Sequence, residues 1–86
     1  MKVEINTISK NIYDGEAERV TIPTENGYIS ILDNHQPLTT SASNGVLEIE
    51  QKSGEIFKIN IRNAIVEVLP TNTIKISADL YLEPIN

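Results

Sequence analysis

Val46-Leu-Glu-Ile-Glu-Gln51, Lys52-Ser-Gly54 and Glu55-Ile-Phe-Lys-Ile-Asn60 form the stretch whose reading decides the fold. Phe57, Ile59 and Ile61 alternate with Lys58 and Asn60, and Glu48 and Glu50 share one face of the first arm, as the period of an extended chain dictates. Between the arms, Ser53-Gly54 brings a glycine, which takes positive φ without steric cost, as a tight reversal demands. Two alternating arms joined across Lys52-Ser53-Gly54 read as an antiparallel β-hairpin.

The same period runs outward from this hairpin in both directions. Val3 and Ile5 alternate with Lys2, Glu4 and Asn6; Val20 and Ile22 with Arg19 and Thr21; Ile29 and Ile31 flank Ser30; Ile74 and Ile76 flank Lys75. Each segment has one wet and one dry face, which is the requirement for a strand half-buried against a core. Asp14-Gly15, Asn26-Gly27, Asp33-Asn34, Asn44-Gly45 and Pro70-Thr-Asn72 punctuate the segments at the spacing of an all-β sandwich. Ile65 to Leu69 and Thr73 to Ser77, turned at Pro70, predict a second hairpin. No window of about ten residues keeps a capped helical face, so no long helix is expected. The ending from Tyr81 to Asn86, with Pro84, reads as a short tail.

At 86 residues the chain is one small domain, burying roughly 60–65% of the surface its unfolded form exposes. It has no cysteine, hence no disulfide framework and no thiolate ligand, and must be held by packing. The net charge of −5, with basic residues scattered from Lys2 to Lys75, repels phosphate backbones, so no nucleic-acid partner is expected. Apolar runs such as Ala64 to Val66 are far shorter than the roughly 20 residues of a spanning helix. The charged start, Met-Lys-Val-Glu, argues against a secretory signal, and the expectation is a soluble protein on the cytoplasmic side.

Chemistry is sparse. His35 is the single histidine, so a zinc site would have to combine it with several carboxylates. Ser30, Ser41, Ser43 and Asp33 lie near His35 in sequence, yet no nucleophile elbow is present, and a Ser/Thr-rich strand is ordinarily a solvated sheet face. The pairs Glu16/Glu18 and Glu48/Glu50 read as solubility devices rather than as acid–base dyads. The four glycines are isolated beside turn residues, so no phosphate loop is expected. The chain reads as a non-enzyme without catalytic residues, metal or cofactor.

Four blocks in order carry a family resemblance. Ile12-Tyr-Asp-Gly-Glu16 followed by Val20-Thr-Ile-Pro23 is the first; Gly27-Tyr-Ile-Ser-Ile-Leu-Asp-Asn-His35-Gln-Pro-Leu38 is the second. Asn44-Gly-Val-Leu-Glu-Ile49 is the third, and Ala64-Ile-Val-Glu-Val-Leu-Pro70 followed by Ile74 to Ala78-Asp79 is the fourth. Their order from Val3 to Asp79 resembles the amino-terminal β-sandwich of the epsilon subunit of F-type ATP synthases, called delta in mitochondria. The resemblance implies a flattened antiparallel β-sandwich of about ten short strands over residues 1–79, with 80–86 as a tail. It also implies a rotor role. In the family this domain sits at the foot of the central stalk, bound to the gamma subunit and resting on the c-ring of a proton-driven machine, peripheral to the cytoplasmic face of the inner membrane. The isolated domain is expected to be a monomer without membrane insertion.

Carried over by position, Thr7, His35 and Thr40 are expected gamma contacts, and Glu25, Asn26, Gly27 and Tyr28 are expected ring contacts. Here Tyr28 stands where the family usually has an acidic residue, and Ser30 replaces a glycine, so Tyr28 packing with polarity from Glu25 or Asn26 is the expected ring contact. Family members commonly continue past Ala-Asp into a helical hairpin that restrains ATP hydrolysis, and in some members binds ATP. This sequence stops seven residues after Asp79, so a short form without that hairpin is expected. The competing reading is a free-standing β-sandwich module that binds peptide or carbohydrate.

Overall fold

The period-two pattern is realised as ten strands. They are β1 (Lys2–Asn6), β2 (Asn11–Glu16), β3 (Arg19–Thr24), β4 (Gly27–Leu32), β5 (Leu38–Ala42), β6 (Gly45–Glu50), β7 (Ile56–Arg62), β8 (Ala64–Leu69), β9 (Thr73–Ser77) and β10 (Leu80–Tyr81). The structure, a computed structural model, describes residues 1–81; the part of the expected tail at 82–86, with Pro84, lies outside the described residues. No described residue is helical.

The strands form two five-stranded sheets, β2-β1-β9-β8-β5 and β10-β7-β6-β3-β4. The deciding hairpin pairs Gly45 with Ile61 through Glu50 with Ile56. Its turn closes by Gln51 N–H to Glu55 O and Gly54 N–H to Gln51 O, each 2.9 Å. The second predicted hairpin pairs Ile65 with Ser77 through Leu69 with Thr73. One pairing departs from the antiparallel expectation: β1 runs parallel to β9, with Val3 opposite Ile74 and Ile5 opposite Ile76. Parallel neighbours cannot be joined by a tight turn, so they come from distant parts of the sequence, where turn signals carry no information. The body is also nearly equidimensional, 28 × 27 × 26 Å, rather than flattened.

The inner faces of both sheets are aliphatic. Val3, Ile5, Val66, Ile74 and Ile76 of one sheet meet Val20, Ile22, Ile31, Leu47, Ile49, Ile59 and Ile61 of the other, all essentially without solvent exposure. Each such side chain stabilises the fold by roughly 1.5–3 kcal/mol on burial. No polar or charged side chain is buried among the described residues. Tyr13 of β2 and Phe57 of β7 close one side of the core between the sheets, their ring centroids 5.0 Å apart and tilted by 41°. Gly15 makes room for this: a Cβ there would lie 3.1 Å from the Tyr13 hydroxyl. Partial burial pushes the Tyr13 phenol above its usual pKa.

The loops gather at two poles. At one, Met1 meets Ala17, Asp33 and, through Lys2, Asn72. At the other, Thr7 N–H bonds to Lys10 O at 2.8 Å, Ala78 N–H to Asn6 O at 3.0 Å, and Asp79 N–H to Arg62 O at 3.3 Å. The β3–β4 tip and the β5–β6 connection share this second pole, because Ser43 N–H reaches Pro23 O at 2.9 Å and Asn63 N–H reaches Asn44 Oδ1 at 3.0 Å.

Candidate partner-docking surface

At the second pole the chain reverses tightly between β3 and β4. The Thr24 hydroxyl donates to Gly27 O at 2.6 Å and accepts Asn26 N–H at 3.3 Å. Gly27 adopts φ of 107°, which only glycine takes without strain, and nothing crowds its position. Glu25 and Asn26 therefore project as an exposed polar tip. Tyr28 follows on the outer face of edge strand β4 and is 65% exposed, opposite Pro23 of β3.

Thr40 belongs to the same end of the molecule. Its side chain is half-buried, its hydroxyl contacts Ser41 O at 3.3 Å, and it lines an open polar groove of about 460 Å³ together with Thr24, Glu25, Asn26, Ser41 and Ser43. A second, more apolar cleft of about 490 Å³ is framed by Thr7, Ile8, Asn63, Ile65, Ser77 and Ala78. The two hollows are neighbours, because Ser41 of the first and Ile65 of the second are register partners across β5 and β8. Thr7, Thr40, Glu25 and Asn26 thus share one pole.

His35 does not. It sits in the β4–β5 connection at the opposite pole, where its N–H bonds to Leu32 O at 3.2 Å and Nδ1 lies 2.7 Å from Gln36 O. The residues weighed for catalysis are engaged elsewhere. Asp33 binds the chain's amino terminus, Ser30 meets the Thr21 hydroxyl at 3.4 Å, and Ser41 and Ser43 line the groove at the far pole. Of the acidic pairs, Glu50 is drawn into an ion pair with Arg19, and Glu48 lies opposite Lys58. The described residues contain no group of three or more acidic, histidine or cysteine side chains placed to hold a metal ion.

Two features of the surface escape reasoning from alternation. Ile8 is fully exposed in the polar loop after β1, and Ile65 is 54% exposed on the outer face of β8. The available signals were an isoleucine among Thr7, Ser9 and Lys10, and an isoleucine at a position in phase with Glu67 on an outward face.

The family of the ATP synthase delta/epsilon chain β-sandwich domain matches residues 1–83 of the 86. The chain belongs to this family. Among its relatives, the ATP synthase epsilon chain of Leptospira borgpetersenii is 35% identical over 80 residues, covering 91% of this chain and 61% of that one. The epsilon chain of Sulfurimonas denitrificans is 38% identical over 68 residues, covering 79% and 52%. The chain spans about half to three-fifths of the length of these relatives. Its fold is similar to a chain of the Euglena gracilis mitochondrial ATP synthase, described as OSCP/F1/c-ring, with a TM-score of 0.87 at 20% identity over 95% of this chain and 51% of that one. A chain of the Tetrahymena thermophila central stalk and c-ring gives a TM-score of 0.69 at 22% identity, covering 99% and 65%. The second pole of this chain carries a polar tip, a hydroxyl-lined groove and the exposed side chains of Ile8 and Ile65.

Proposed function

We propose that the chain is a non-catalytic rotor subunit of a proton-translocating F-type ATP synthase, joining the gamma subunit to the c-ring at the foot of the central stalk. The family match over nearly the whole chain carries this reading. The physical character of the domain supports it. A coupling element must transmit force without deforming, and two hydrogen-bonded sheets around an aliphatic core are stiff. Transmission also needs fixed surface contacts. The Glu25–Asn26 tip is the proposed polar contact with the ring, with Gly27 holding its shape and Tyr28 packing beside it.

The gamma contact is proposed to centre on Thr7, Thr40 and the cleft between them, where Ile8 and Ile65 offer apolar area that water covers in the free chain. Burying a side chain such as Ile8 against a partner contributes roughly 1.5–3 kcal/mol. His35, at the other pole, then requires gamma to reach along β5 from one pole to the other, and belongs to the margin of that contact. In this role the domain is peripheral on the cytoplasmic side of the membrane and binds no cofactor.

Size-exclusion chromatography with the cognate gamma subunit tests the reading. The purified chain is expected to elute as a monomer alone and to co-elute with folded gamma. Separate elution with folded gamma present sinks the rotor assignment. His35→Ala is expected to leave both co-elution and ATP hydrolysis by the assembled complex unchanged within about twofold.

A further inference from the structure

Two Asn-Gly dipeptides stand in this chain, Asn26-Gly27 at the β3–β4 tip and Asn44-Gly45 at the start of β6. An asparagine followed by glycine carries its own reaction, because the backbone nitrogen of the next residue can reach the side-chain carbonyl carbon and no Cβ screens it. Local sequence makes the two sites equal. The fold does not.

Asn44 is tethered. Its Oδ1 accepts Asn63 N–H at 3.0 Å, which ties the carboxamide to the β7–β8 connection. Gly45 is half-buried and paired with Ile61 across β6 and β7, and a Cβ on it would meet Pro23 at 3.4 Å. The preceding residue is held as well, since Ser43 N–H reaches Pro23 O at 2.9 Å. Swinging the Asn44 carbonyl carbon onto Gly45 N therefore breaks a side-chain hydrogen bond and disturbs a sheet junction. Asn26 and Gly27 are both exposed, and nothing lies within 4 Å of where a Gly27 Cβ would stand. Asn26 is engaged through its backbone N–H, which meets the Thr24 hydroxyl at 3.3 Å, and among the described residues its carboxamide has no partner. The turn ends a hairpin on edge strand β4, so it opens without disturbing the core.

We propose that Asn26 is the site at which this chain modifies itself, by deamidation through a cyclic imide, and that the fold protects the identical dipeptide at Asn44. Solvent base takes the Gly27 N–H proton, the nitrogen attacks Asn26 Cγ, the Cγ–Nδ2 bond breaks, and ammonia leaves with a proton returned from solvent. Water then opens the five-membered imide. Addition of water at Cγ gives aspartate; addition at the α-carbonyl carbon gives isoaspartate, with the main chain rerouted through Cγ. Either product adds a negative charge to the net −5 of the chain, and isoaspartate lengthens the tip backbone by a methylene. The reaction needs no partner and is independent of what docks at this pole. On the rotor reading, it places a carboxylate where Asn26 is proposed to meet the ring.

The whole chain is incubated at mildly alkaline pH, folded or in concentrated urea. Peptide mass spectrometry follows the amide-to-acid mass change at Asn26 and Asn44, with electron-transfer fragmentation separating isoaspartate from aspartate. In the folded chain Asn26 is expected to react at least about tenfold faster than Asn44, which has to wait for a costlier local opening. In urea the two rates should come within about threefold of each other. Equal rates in the folded chain, including no reaction at either site, overturn the proposal, and so does the same preference persisting in urea. Asn26→Gln keeps an exposed carboxamide but would have to close a six-membered ring. This variant is expected to keep the wild-type Tm and to lose the reaction at position 26; loss of its amide at the Asn26 rate would show direct hydrolysis and overturn the imide route.

Discussion

At one end of the sandwich, Met1, Ala17, Asp33, Asn34 and Asn72 satisfy one another through a closed set of hydrogen bonds; at the other, Thr7, Ile8, Ile65 and the Glu25–Asn26 tip border two open hollows. Both ends are made of loops, and both are needed to turn the same strands. They differ in where their hydrogen bonds and apolar groups are spent. At the first pole Met1, Ala17, Asp33 and Asn72 bond one another, while Leu32 and Ile56 stand exposed beside them. At the second, backbone bonds also tie the loops, but Ile8, Ile65 and the Glu25–Asn26 tip stand open to solvent beside two hollows.

The sharpest way to break this comparison is at Asn72, which holds a left-handed backbone with φ of 57° and bonds both Asp33 and Asn34. Asn72→Val puts a β-branched residue at that φ and removes both side-chain bonds, and is expected to cost about 2–4 kcal/mol in urea denaturation. Ile8→Asp makes the opposite test at the open pole. Stability should stay within about 0.5 kcal/mol. Affinity for the gamma subunit should fall by roughly 10- to 150-fold in calorimetric titration, the equivalent of losing the burial of one isoleucine. A stability loss at Ile8 without an affinity loss would reverse the assignment of the two poles.

A pH titration sharpens the comparison further. The hydrogen bond from the Met1 ammonium, followed by that from Asn72, holds the Asp33 carboxyl below its usual pKa. A carboxylate with a depressed folded pKa adds stability that is complete above its unfolded value, about 3.9, and is lost as pH falls through the folded value. Thermal stability of the wild-type chain should therefore decline below about pH 4 more steeply than that of Asp33→Asn. The smallest effect is expected from Arg19→Met, which removes the exposed ion pair with Glu50 beside Leu32; it should cost about 0.2–1 kcal/mol and less in high salt.

Much of the sheet structure was legible from single residues. Ser53-Gly54 and Pro70-Thr-Asn72 marked two hairpins, and the alternation of Ile59 and Ile61 with Lys58 and Asn60 named the buried face correctly. The site was less legible. Thr7 and Thr40 proved to share a pole, whereas His35, grouped with them by resemblance, lies at the other. Ile8 carried no periodic signal, and nothing near Met1 in sequence pointed to Asp33 or Asn72.

By itself the sequence determined the extended state of each segment, the face each one buries and the tight turns between neighbours, because those depend on side-chain period and on local φ and ψ alone. It also determined the family. Only the tertiary structure decided that β1 lies parallel beside β9, that Glu16, Ala17 and Asp33 come together at Met1, and that the tip, the groove, Ile8 and Ile65 share one pole. These are contacts between residues far apart in the chain. They are fixed by how two aliphatic faces pack to exclude water, and no local pattern encodes that outcome.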